Sequence, residues 1–133
     1  MKHLASPIVL FLITLNIIAQ NANIFEVTIK NLPNTKVYLY NFEGDRNMIL
    51  DSTVTDPSGS FIFKLKANWQ PGLYKVETGR SNVQQRPYSF NFVFNYENIK
   101  LSITLSALND SMQVLASEEN KLYYDFNKFN SKI

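Results

Sequence analysis

Cysteine is absent from this 133-residue chain. Its absence excludes disulfides, thiol nucleophiles, thiolate metal sites and the lipid-bearing cysteine of a bacterial lipoprotein. Histidine is almost absent: His3 is the only one, and it stands at the extreme amino terminus. A histidine-based triad or general base in the body of the chain is thereby excluded. The four glycines are scattered, so no phosphate-cradling loop exists, and no Gly-x-Ser-x-Gly nucleophile motif occurs. Charge of one sign is lacking as well. Thirteen basic and 11 acidic residues, with no Lys/Arg cluster, do not form the footprint of a nucleic-acid-binding surface. No apolar run reaches the ~20 residues of a permanent membrane span.

What is present begins with a short apolar run. Residues 7–19 (PIVLFLITLNIIA) follow Lys2 and precede small and polar residues, as in a cleavable export signal. Ala19 and Ala22 each supply the small residue before a cut, although Ile17 and Gln20 are poor partners two positions upstream. A buried N-terminal helix and an uncleaved anchor are the alternatives. The expected organisation is a signal peptide over residues 1–22, a β-sandwich over 23–116 and a helix over 117–133. The expected address is the periplasm or the outside of a Gram-negative cell. Hydrophobic residues make up 45% of the chain, ample for one packed core in a single domain.

From residue 24 to 114 the apolar residues recur at a spacing of two, broken by turn formers. Phe25, Val27 and Ile29 alternate with Glu26, Thr28 and Lys30. Val37 and Leu39 oppose Tyr38, Tyr40 and Phe42, so this strand is expected to be central or covered on both sides. Asp56-Pro57-Ser58-Gly59 is a turn, and residues 79–87 form the longest polar loop. Asn95-Tyr96-Glu97-Asn98 is expected to close a hairpin before Ile99, Leu101, Ile103 and Leu105. The period changes at Ser117, a helix cap followed by Glu118 and Glu119 at the positive end of the dipole. Leu122, Tyr123, Phe126 and Phe129 then fall at helical spacing. The fold class is all-β: an antiparallel sandwich of roughly seven to eight strands with one C-terminal amphipathic helix.

Candidate chemistry is sparse. Asp51-Ser52 and Asp110-Ser111 read as strand-edge and turn polarity rather than as a catalytic pair. Asp45, Asp51 and Asp56 do not follow a calcium-loop spacing. No catalytic residue, cofactor or metal is expected. Asp51-Ser52-Thr53 and Asp110-Ser111-Met112 match short bacterial O-glycosylation patterns, and Asn109-Asp110-Ser111 matches an N-glycosylation sequon. The aromatic row Tyr88, Phe90, Phe92, Phe94 and Tyr96 suits the inner face of a sandwich, with wet tyrosines at both ends. Trp69, beside Gln70-Pro71-Gly72, is the better candidate for an exposed contact. The helical stripe Leu122, Tyr123, Phe126 and Phe129 is expected to pack on the sandwich, with docking onto a partner as the other reading.

Five segments occur in an order and spacing that resemble one family: Lys36-Val37-Tyr38-Leu39-Tyr40, Leu50-Asp51-Ser52-Thr53, Gly59-Ser60-Phe61, Pro71-Gly72-Leu73-Tyr74-Lys75-Val76 and Ser117-Glu118-Glu119-Asn120. They resemble the uncharacterised β-rich domain that precedes the thioredoxin-like domain of exported thiol:disulfide interchange proteins of the TlpA/ResA type. In that family a helical segment leads from the β domain to a redox domain bearing Cys-x-x-Cys. The resemblance covers most of residues 24–130 and implies a β-rich fold. It implies no redox activity here, because this chain has no cysteine. The expectation is a non-enzymatic module with a protein or glycan partner at the cell envelope. A truncated relative of the oxidoreductase, or an accessory partner of a separately encoded one, is the alternative.

Overall fold

The computed structural model describes residues 22–43, 46–80, 86–105 and 111–131. The signal-like run, most of the polar 79–87 loop and the Asn109-Asp110 turn lie outside them. Eight strands and one helix follow in chain order: β1 (Asn23–Lys30), β2 (Lys36–Glu43), β3 (Arg46–Val54), β4 (Ser60–Leu65), β5 (Gly72–Thr78), β6 (Ser89–Phe94), β7 (Ile99–Thr104), β8 (Ser111–Ala116) and α1 (Glu118–Asn130). They form two four-stranded sheets, ordered β4-β1-β7-β8 and β3-β2-β5-β6. The sheets face each other as a sandwich and do not close into a barrel.

The inward parity of each strand builds the core between the sheets. Phe25, Val27 and Ile29 of β1 meet Phe61, Phe63 and Leu65 of β4 and Ile99, Leu101 and Ile103 of β7 on one side. Val37, Leu39, Val76, Phe90, Phe92 and Phe94 come from the other side. Each such side chain stabilises the fold by about 1.5–3 kcal/mol once removed from water. The tyrosines ending the β6 row are wetter than its phenylalanines, Tyr88 being half-buried and Tyr96 exposed.

Two expectations from the sequence are corrected. Not every strand pair is antiparallel: β1 runs parallel to β7, with Phe25 opposite Ile99 and Val27 opposite Leu101. A hairpin imposes antiparallel pairing only on strands joined directly, and β1 and β7 are separated by five others. Residues 95–98 are likewise not a hairpin turn, because β6 and β7 belong to different sheets. Tyr96 takes the left-handed φ of 56° there, and the segment carries the chain across the sandwich. Asn98 secures the crossing: its Oδ1 accepts the backbone N–H of Ile24 at 3.0 Å.

The Asp56-Pro57-Ser58-Gly59 turn makes another crossing, from β3 to β4. Asp56 Oδ1 accepts from Ser58 N (2.8 Å), Ser58 Oγ (2.6 Å) and Ser60 N (2.9 Å). These donors, the Ser58 hydroxyl first, hold the Asp56 carboxyl below its ordinary range. The β2 strand is central, as its pattern implied, but Phe42 at its end is 42% exposed.

Candidate binding cleft

The loop between β4 and β5 is folded by its own backbone and by two tyrosines. Trp69 N–H donates to the Lys66 carbonyl at 3.0 Å. The Tyr96 hydroxyl donates to the Trp69 carbonyl at 2.9 Å, and the Tyr74 hydroxyl donates to the Gln70 carbonyl at 2.6 Å. Burial, and then the Tyr96 phenol, push the Tyr74 hydroxyl above its ordinary pKa, so it remains a donor at physiological pH. Trp69 is therefore fixed in place. Its indole stacks on Tyr74, with centroids 6.2 Å apart and planes 22° from parallel, and it packs against the core. The exposed Lys66 side chain brings its ammonium to 6.0 Å from the indole centroid.

Beside this loop lies a cleft of about 320 Å³ lined by Asn41, Phe42, Asn68, Trp69, Gln70 and Tyr74, among others. None of the described residues lining it carries a charged side chain. Asn41 extends the inward row of Val37 and Leu39, and it pairs with Tyr74 across β2 and β5. A polar residue thus stands where the pattern calls for an apolar one. Its Oδ1 is buried and has no hydrogen-bond partner among the described residues. Buried acceptors are nearly always paired, and leaving one unpaired costs about 1–3 kcal/mol.

The helix is built in the reverse of the expected sense. Asn120, fully buried, turns its amide to the free edge of β6, accepting from Val93 N at 2.7 Å and donating to Val93 O at 2.8 Å. One helical turn on, the Tyr124 hydroxyl donates to the Asn91 carbonyl. Burial pushes that phenol well above its ordinary pKa, with Tyr123 and Tyr88 adding to the shift. Ser117 caps the helix by accepting from Asn120 N, and it donates its own hydroxyl to Glu97. The apolar stripe does not pack on the sandwich: Leu122, Phe126 and Phe129 are 68%, 62% and 66% exposed. Tyr123 is half-buried against Tyr124. The polar face won because it alone satisfies the backbone of an open sheet edge.

Of the side chains singled out in the sequence, the fold brings Trp69 into the cleft and keeps the α1 residues apart from it. Among the described residues Asp51 accepts only the backbone N–H of Ser52, at 2.8 Å, on an exposed stretch of β3. Sequence reasoning missed Asn41 and Asn120. The signal for Asn41 was its inward parity after Val37 and Leu39. For Asn120 it was a polar pair, Asn120 and Tyr124, repeating at the same helical spacing as the apolar stripe. No group of three or more potential metal ligands occurs among the described residues. No helix among them is long and apolar enough to cross a membrane.

The profile of a family described as Domain of unknown function (DUF4369) matches residues 24–123. Comparison with curated proteins yields no match. Among solved structures, (S)-allantoin synthase shares the fold at a TM-score of 0.53 and 10% sequence identity. That alignment covers 73% of this chain and 45% of the synthase, so this chain spans under half the length of that protein.

Proposed function

The chain belongs to the DUF4369 family of domains of unknown function, and within that family we propose for it a non-enzymatic role as an exported module that binds a ligand at the cell envelope. The observation that carries this reading is the Asn41 carbonyl, buried with no hydrogen-bond partner among the described residues, beside an aromatic-walled cleft. An acceptor held out of water and left unpaired is costly in the free protein, and a bound donor relieves that cost. The cleft wall combines amides and aromatic rings with the apolar Pro71 and Leu73. Among the described lining residues its one titratable group, the Tyr74 phenol, is committed to the Gln70 carbonyl and held protonated. Such a wall holds a molecule rather than transforms it. Export rests on the apolar run at residues 7–19 behind Lys2.

Calorimetric titration of the secreted protein with soluble cell-wall fragments and envelope extracts tests the reading. Saturable heat that Trp69→Ala abolishes is expected. Heat indifferent to that substitution overturns the cleft, and reproducible turnover by the pure protein overturns the non-enzymatic role. Sequencing the secreted protein from its amino terminus is expected to find Gln20 or Asn23 first. An uncut chain retained inside the cell overturns export.

The exposed face of α1 favours a second reading, an accessory role in which the helix docks on a separately encoded thioredoxin-like oxidoreductase. Replacing Leu122, Phe126 and Phe129 together by serine is expected to leave the fold intact and abolish co-purification with such an enzyme. Unchanged co-purification sinks the idea.

A further inference from the structure

We infer that the Trp69 cleft takes an uncharged sugar ring; the inference rests on the reading of that cleft as a binding site and adds the class of its ligand. The argument starts from the indole. One of its faces is taken by Tyr74, and the ring also attracts the Lys66 ammonium. An aromatic face draws positive partial charge through its quadrupole. The axial C–H groups of a pyranose carry that charge over an area matching an indole, and a ring laid there would take the place of the exposed Lys66 ammonium.

The polar groups point the same way. The described lining offers the amides of Asn41, Asn68 and Gln70 and no charged side chain, so it suits a neutral ligand with several hydroxyls. Asn41 supplies the discriminating contact. Its carbonyl needs an O–H or N–H donor, and the terminal torsion of an asparagine is soft enough to turn that oxygen to the cleft wall. A hydroxyl arriving there replaces an unpaired acceptor by a buried hydrogen bond. The volume, about 320 Å³, is at the small end for ligand clefts, which span roughly 300–1,000 Å³. It fits a short oligosaccharide segment rather than a large cofactor.

Trp69 is the only tryptophan, so the intrinsic fluorescence of the full chain reports on this cleft. Titration with maltotriose, cellotriose and the trimer of N-acetylglucosamine is expected to give a saturable emission change with at least one of them. In Asn41→Leu the same sugar is expected to bind at least tenfold more weakly, while the thermal midpoint is unchanged or higher. Asn41→Val, suited to a strand, repeats the measurement if leucine overfills the site. Equal sugar affinity in a folded Asn41 variant overturns the role of that residue in recognition. No response to the sugars, with a saturable response to trialanine or N-acetylphenylalaninamide, overturns the sugar class and leaves the cleft standing. Silence with every probe overturns both.

Discussion

Gly59 stands where the chain leaves β3 for β4, at a φ of +85°, and its carbonyl accepts the N–H of Ile29 at 2.9 Å. A Cβ there would lie 1.9 Å from the Ile29 carbonyl oxygen, which no side chain can tolerate without backbone movement. Gly59→Ala is expected to cost about 2–4 kcal/mol, read as a lower denaturant midpoint at unchanged slope. Three residues earlier, Asp56 gives the turn a pH dependence. Its folded carboxyl is depressed, so the stabilisation it supplies is present above the unfolded value of about 4 and is lost as pH falls through the folded one. Asp56→Asn is expected to be less stable at neutral pH, the gap from the parent closing on acidification. A gap that persists at low pH in thermal melts contradicts this. The turn itself was legible, because Asp, Pro, Ser and Gly each supply a local conformational preference. Asn41 was not. A polar residue at the end of an inward row looks locally the same whether it ends the core or walls a cleft.

At the scale of elements, α1 closes the open edge of β6 with side chains. The Asn120 amide offers one donor and one acceptor to Val93, as a neighbouring strand would, and Tyr124 reaches Asn91 beyond it. Removing that amide strips both Val93 groups of their partners. Asn120→Leu is expected to cost about 2–4 kcal/mol, from two unsatisfied backbone groups at 1–3 kcal/mol each, partly offset by added apolar burial. It is also expected to let chains pair along the bared edge, visible as a concentration-dependent mass in light scattering. A monomeric variant of parental stability contradicts the edge-closing role. The sequence disclosed the helix and its start, since Ser117 and the acids after it are a local capping signal. It misled about which face turns inward. Apolar periodicity assumes that the core supplies the partner surface, whereas here a row of free backbone groups does.

For the molecule as a whole, the two sheets are held together by an interleaved core of aliphatic side chains and aromatic rings. Phe25 of β1 and Phe92 of β6 lie across the interface with centroids 4.0 Å apart, and Tyr74, beside Phe92 on the neighbouring strand, stacks on it at 5.7 Å. Phe25→Ala is expected to cost about 3–5 kcal/mol, a large share of the roughly 5–15 kcal/mol typical of a domain. A smaller loss in equilibrium unfolding would mean the sheets can collapse onto the gap. Strand positions were legible because alternation is a local property of a few residues. Which strands become neighbours was not, because β1 finds its parallel partner only at residues 99–104. That pairing sets the order of events for a chain emerging amino end first from a ribosome. The first described strand, β1, lies inside a sheet between β4 and β7, so it can pair with β4 once residue 65 has emerged but lacks its second neighbour until residues 99–104 follow. The sheet that β1 centres therefore closes late, and its most distant stitch, β1 to β7, is made only after the strands between them exist.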